Sequence, residues 1–154
     1  MDQQQLQQSL RELHFSAHLS DATAQKLAAL LTPRDFAAGA VLFDEGTVSP
    51  WLYVIVAGEI ALEMCVPARG CTRILTLGPG DLLAWSSLLG DGRMTATAIA
   101  TSPARLLAAS ATDLKALCDA DHEFGFELMR GMAQALARRL TATRLQLLDL
   151  YDAS

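Results

Sequence analysis

The chain has 154 residues, 51% apolar and 19% charged, with 12 basic against 17 acidic side chains and a formal net charge of −5. A chain this long buries roughly 70% of its unfolded surface, enough for one core without staples and little for a second domain. The charge has the wrong sign for direct DNA binding, which needs clustered Lys and Arg to displace counterions from phosphates. Asp35 to Pro67 holds Asp35, Asp44, Glu45, Glu59 and Glu63 with no basic residue, and the basic cluster is Arg138, Arg139 and Arg144 near the end. No apolar run of about 18 residues occurs and the start is polar, so the expectation is a cytoplasmic chain with no membrane association.

In chain order, residues 1–32 read as helices. Gln3 to Leu13 is rich in helix formers, and Ser20 caps a second segment with Ala24, Leu27, Leu30 and Leu31 at helical spacing before Pro33 ends it. Residues 33–110 read as β-structure: short apolar or alternating runs at Val41 to Phe43, Tyr53 to Met64, Ile74 to Leu77, Thr95 to Thr101 and Ala104 to Ala109 are cut by turn residues. Ile60, Leu62 and Met64 alternate with Glu59, Ala61 and Glu63, which predicts one core face and one wet face. Pro67 to Gly70 predicts a hairpin loop that brings Cys65 near Cys71.

Residues 111–154 return to helix. Thr112 and Asp113 open a short helix, and Asp121 caps one running to about Leu150, on the order of 40 Å long. Phe126, Met129, Ala133, Leu136, Leu140, Thr143, Leu147 and Leu150 follow a 3-4 spacing, the seam of a helix that pairs with another helix. Its first two turns, widened by Phe124 and Leu128, are expected to pack on the chain's own β-block. Beyond Leu136 the seam predicts a homodimer.

Enzyme chemistry finds no support. His14, His18 and His122 lie outside the β-block, so a cupin-type metal site has no ligands, and His14 and His18, though four apart, lack a third convergent ligand. No metal is expected. Cys65, Cys71 and Cys118 are odd in number and are read as unpaired thiols; they lack the spacing of an iron–sulfur or haem site.

One constellation remains, from Gly80 through Leu83, Ala84, Trp85, Ser86 and Ser87 to Arg93, Met94, Thr95 and Ala96. The order is strand, glycine turn, one helical turn, strand. Free N–H groups at such a turn can cradle an anion, and a tight barrel turn is the plainer alternative. Phe36 to Gly46, Leu52 to Ile60, the Pro79-Gly80-Asp81 turn and the Thr95-Ala96-Thr97 strand together resemble the cyclic-nucleotide-binding domain of the catabolite-activator and fumarate-nitrate-regulator superfamily, over about residues 15 to 150. The resemblance implies a mainly β fold, an eight-stranded jelly roll with amino-terminal helices and a long carboxy-terminal dimerisation helix, in a single domain over 1–154. It also implies a sensor half without a helix-turn-helix.

Against that pattern, Trp85 stands where nucleotide-binding members place a glutamate on the ribose, and Ala84 where they place glycine. Met94 stands at the phosphate-pairing arginine's position, with Arg93 one residue earlier. Thr143 and Arg144 fall where the catabolite activator contacts adenine. The leading expectation is a non-catalytic dimeric sensor with an altered pocket, acting through a protein partner, with Trp85 as core anchor or as stacking platform. A second is cyclic nucleotide binding, or binding of another small anion, with Arg93 on the phosphate and Thr143 supplied by the dimer partner. A third is a dimerisation module without ligand.

Overall fold

Asp2 opens the first helix, α1 (Gln3–Glu12), by accepting from the Gln5 N–H at 2.8 Å while the Gln5 side chain accepts from the Asp2 N–H at 2.8 Å, a reciprocal cap that satisfies two donors at once. The structure is a computed structural model and describes residues 1–152. Ser20 caps α2 (Asp21–Leu30), its hydroxyl accepting from the Thr23 N–H at 3.3 Å. The chain turns extended at Leu31, and β1 (Thr32–Phe36) begins one residue before the boundary expected at Pro33. Proline is tolerated there because β1 is an edge strand.

Seven further strands complete the β-block: β2 (Val41–Phe43), β3 (Trp51–Ala57), β4 (Ile60–Val66), β5 (Gly70–Leu77), β6 (Leu82–Leu83), β7 (Thr97–Ala100) and β8 (Ala104–Ser110). They form two antiparallel four-stranded sheets ordered β1-β8-β3-β6 and β2-β7-β4-β5, the expected jelly roll. The single run read from Tyr53 to Met64 is two strands, broken at Gly58. That residue has φ +90°, and a Cβ there would meet the Pro103 carbonyl oxygen at 2.4 Å, so only glycine makes this turn.

Period-two alternation explains why β3 and β8 are apolar on both faces. Tyr53, Ile55, Leu106 and Ala108 point between the sheets into a core with Ile60, Leu77 and Leu83. Leu52, Val54, Leu107 and Ala109 point the other way, into a second core covered by helices. In β4 the expected alternation fails: Ala61 is fully buried and Met64 is exposed. The β4–β5 register shifts between Leu62 and Glu63, and such a bulge turns the remaining side chains to the other face.

Beyond the bulge Cys65 pairs directly opposite Cys71, and the two form a disulfide. This corrects the reading of three unpaired thiols. Counting cysteines reports on compartment, whereas bonding is decided by cross-strand register, which sets the two sulfurs side by side. Cys118 is free and half-buried, and burial, with a smaller contribution from the nearby Asp119, raises its thiol pKa.

A short helix, α3 (Ser86–Leu89), interrupts the strands, and α4 (Ala111–Ala120) comes after β8. The cap of α4 is Ser110, accepting from the Asp113 N–H at 3.3 Å, so this helix opens slightly before the Thr112 and Asp113 start that the sequence suggested. Asp121 caps α5 (His122–Asp152) through the Phe124 N–H at 3.1 Å, as expected. The face of α5 that meets the protein is Phe124, Leu128 and Met132, all buried with α1 and α2 residues such as Leu10 and Leu27. Phe126 is exposed, so that seam position does not pack inward, whereas Met129 is half-buried against the same core. Glu127 fastens the junction, accepting from the Ser20 N–H and hydroxyl at 2.9 Å each and from the Thr23 hydroxyl. No helix among the described residues is long and apolar enough to cross a membrane.

Candidate functional site

The Gly80 turn is built by its own backbone. The Asp81 side chain accepts from the Gly78 N–H at 2.9 Å, and the Gly80 N–H donates to the Ile55 carbonyl at 2.8 Å, pinning the turn to β3. Gly80 itself is buried at φ +92°. The chain then runs through β6 into Ala84, the one described non-glycine residue with positive φ, at +61°. An L-residue incurs a penalty of about 1 kcal/mol or more there, so Ala84 keeps a backbone shape that glycine suits better.

Trp85 sits at the start of α3 and packs, half-buried, against the helix-covered core. That placement favours the core-anchor reading of its indole. Among the described residues, the Trp85 and Ser86 N–H groups take no acceptor, whereas Ser87 N–H donates to the Ala84 carbonyl at 3.0 Å. Both serine hydroxyls are already committed: Ser86 donates to the Arg93 carbonyl and Ser87 to the Ala84 carbonyl, each at 2.7 Å. They hold the loop in shape and are not free to serve a ligand.

The segment after α3 lies extended against Gly46 to Ser49. The Met94 N–H donates to the Thr47 carbonyl at 2.8 Å, and the Gly46 N–H to the Met94 carbonyl at 2.8 Å. Adjacent residues on an extended chain face opposite sides, so Met94 is buried between the sheets and Arg93 is exposed. Its guanidinium donates outward, to the Gly46 carbonyl at 3.1 Å. The loop shift that Arg93 would need to replace the missing arginine does not occur.

A different cation reaches the site. Arg139 comes from α5, and its guanidinium donates to the Leu82 carbonyl. Burial lowers its pKa, with Asp81 opposing that shift through its charge. Arg139, Trp85, Ala84 and Leu83 together with Phe43, Leu62, Ser86, Thr95 and Ala96 line a small cavity of about 20 Å³, room for about one water. The structure therefore brings together Leu83, Ala84, Trp85, Ser86, Thr95 and Ala96, sets Gly80 and Ser87 behind them as framework, and leaves out Arg93 and Met94. Sequence reasoning misses Arg139, because Arg138, Arg139 and Arg144 read as one basic cluster. The signal is present: Arg139 continues the inward stripe Phe124, Leu128, Met132 and Ala135 at spacings of 4, 4, 3 and 4.

Thr143 and Arg144 lie one turn further along α5, both exposed and away from this cavity in the single chain. The Thr143 hydroxyl bonds back to the Arg139 carbonyl at 2.9 Å. Of the seam, Met129 and Leu136 are half-buried and Ala133, Leu140, Thr143, Leu147 and Leu150 are exposed, a largely apolar strip whose far end borders a groove with β5.

A family model described as cyclic nucleotide-binding domain matches residues 33–121. A CRP-like cAMP-activated global transcriptional regulator of Mycobacterium tuberculosis is 28% identical over 120 residues, 78% of this chain and 52% of the relative, so the chain spans about half the length of that curated relative. The solved N-terminal domain of a transcriptional regulator from Streptomyces coelicolor A3(2) is 30% identical, with a TM-score of 0.71 over 87% of this chain and 94% of that one. The catabolite activator protein of Thermus thermophilus is 26% identical, with a TM-score of 0.70 over 90% of this chain and 63% of that one.

Proposed function

Because the chain belongs to the cyclic nucleotide-binding domain family, we propose that it is a non-catalytic regulatory domain whose pocket is closed by its own Trp85 and Arg139 and which acts as a homodimer on a protein partner. The observation that carries this is the cavity of about 20 Å³ walled by Trp85 and Arg139, against roughly 300–1,000 Å³ for ordinary small-molecule sites. Trp85 supplies bulk where a ribose acceptor would stand, and the Arg139 guanidinium is engaged by the Leu82 carbonyl. The exposed strip from Ala133 to Leu150 supports pairing through α5, and the net charge of −5 supports a protein rather than a DNA partner.

One observation favours cyclic nucleotide binding as a second reading. Arg139 has a carbonyl partner but no carboxylate partner among the described ion pairs, and a half-desolvated guanidinium favours an anion. In that case Arg139 swings onto the phosphate, and Arg93 plays no part. Calorimetric titration with cyclic AMP, cyclic GMP and cyclic dinucleotides separates the two: the closed-pocket reading expects no saturable heat and no stabilisation, where a ligand at 100 times its Kd would add about 2.7 kcal/mol. Saturable binding that is lost in Arg139→Met and kept in Arg93→Ala establishes the second reading instead. A domain that pairs through α5, binds nothing in the panel and engages no protein partner is the ligand-free dimerisation module.

A further inference from the structure

The Cys65–Cys71 bond closes a hairpin that is already closed. β4 and β5 are paired from Ile60 opposite Leu77 to Val66 opposite Gly70, and the turn is completed by the Arg69 N–H donating to the Val66 carbonyl at 2.9 Å. A cross-link across so short a loop removes little chain entropy that the ladder has not removed already. Both cysteines are exposed, near the free end of the hairpin, and accessible disulfides are the ones that exchange with external thiols. The three residues after Cys71 also form one wall of a groove. Thr72, Arg73 and Ile74 face Thr143, Leu147 and Leu150 of α5 across a cavity of about 620 Å³.

We propose that Cys65–Cys71 is a thiol–disulfide exchange site rather than a structural staple, and that its redox state sets the shape of the groove between β5 and the end of α5. The two sulfurs are not equivalent. Glu63 and Arg73 are paired opposite one another on the face of both cysteines, so their charges offset, whereas only Cys65 donates its N–H to the Glu45 carboxylate, at 3.1 Å. A nearby carboxylate opposes a thiolate, so Cys71, which has no such contact among the described residues, is the better leaving group. A dithiol reductant attacks Sγ of Cys65 as its thiolate. The Cys65–Cys71 bond breaks as the mixed disulfide forms, and the electron pair leaves on Cys71, which then takes a proton from solvent. The reductant's second thiol displaces Cys65, so the dithiol departs as its own disulfide and two electrons and two protons have passed to the protein. With the link gone, the strand end carrying Thr72 to Ile74 is held by the ladder alone, so local opening there and at the groove wall becomes more frequent while global stability changes little. This stands apart from the closed pocket, since the groove and the free end of the hairpin do not touch the cavity at Trp85, while Thr143, Leu147 and Leu150 belong also to the strip read as the dimer seam.

The test uses the full chain with dithiothreitol, followed by alkylation, peptide mass spectrometry and hydrogen exchange. The expected result is reduction of the folded protein, a melting temperature changed by only a few degrees, and faster exchange confined to 64–74 and 143–150. Cys71 should alkylate ahead of Cys65. The Cys65→Ser/Cys71→Ser double variant should show the reduced protein's exchange pattern and no response to dithiothreitol. A bond that is reduced only after unfolding in urea, or reduction that melts the β-block, would make it a staple and overturn the proposal. Unchanged exchange at 143–150 would equally overturn its link to the groove.

Discussion

The helix α5 is held in two different ways along its length. From Phe124 to Arg139 one stripe is inserted into the molecule: Phe124, Leu128 and Met132 complete the core under α1 and α2, Glu127 ties down the start of α2, and Arg139 reaches β6. From Leu140 to Leu150 every residue is exposed, including Leu140, Leu145, Leu147, Leu148 and Leu150. The first half is stabilised by burial within the chain, while the second leaves its apolar surface for something else to cover. An isolated helical extension of that length is marginal in water, so its apolar residues make physical sense as an interface.

The contrast is broken most severely by cutting into the inner half. Phe124→Ala should cost about 3–5 kcal/mol in urea unfolding, because a large buried ring leaves a cavity that a helix–sheet junction closes poorly. Leu140→Glu with Leu147→Glu should cost the dilute protein no more than about 0.5 kcal/mol, since these residues are already wet. Light scattering should nevertheless show this pair of changes converting a dimer to a monomer. A large loss of stability without any change of mass would mean that the outer half packs on its own chain.

Gly131→Ala is a finer probe of the inner half. Alanine gains about 1 kcal/mol over glycine in a helix interior, but the added Cβ would stand 2.8 Å from the Phe15 carbonyl oxygen. The clash is with backbone, so a net loss of about 1–2 kcal/mol is expected by denaturant titration. Stabilisation by this change would show that the loop carrying Phe15 is not docked on α5. In the turn that Arg139 of the same helix overlies, Ala84→Gly should stabilise by about 0.5–1 kcal/mol, because it removes a left-handed alanine at φ +61°. The melting temperature should rise by a degree or more.

The smallest expected effect is on pH dependence. The Thr23 hydroxyl, then the Ser20 backbone N–H, hold the Glu127 carboxyl below its ordinary pKa. A depressed carboxylate contributes stability that is present above its unfolded pKa and is lost as pH falls through the folded value. Glu127→Gln should therefore lower stability slightly at neutral pH and flatten the acid side of the curve, with little difference from the parent protein below the folded pKa. Identical acid limbs in thermal melts from pH 3 to pH 7 would show that this clamp is open in solution.

Period and punctuation made much of this legible without coordinates. The long helix, the Asp121 and Ser20 caps, the hairpin at Pro67 to Gly70 and the order of motifs are local properties: they depend on spacing within one segment and on the conformational limits of glycine and proline. The turn, short helix and extended segment from Gly80 to Ala96 are legible as a unit for the same reason, being continuous in sequence. What spacing could not supply was which of two adjacent residues faces in. Arg93 and Met94 differ by one position, and the backbone pairing with Gly46 to Ser49 decided that methionine enters the core and arginine meets solvent. The bulge at Leu62 and Glu63 likewise decided that Ala61 is buried, Met64 exposed and Cys65 bonded to Cys71. Arg139 belongs to the same class, since its role depends on a helix more than fifty residues downstream lying across β6. Periodicity is written in the sequence because side-chain geometry repeats along one segment, whereas register and cross-chain approach are set only when segments pack, and there a shift of one residue reverses every face.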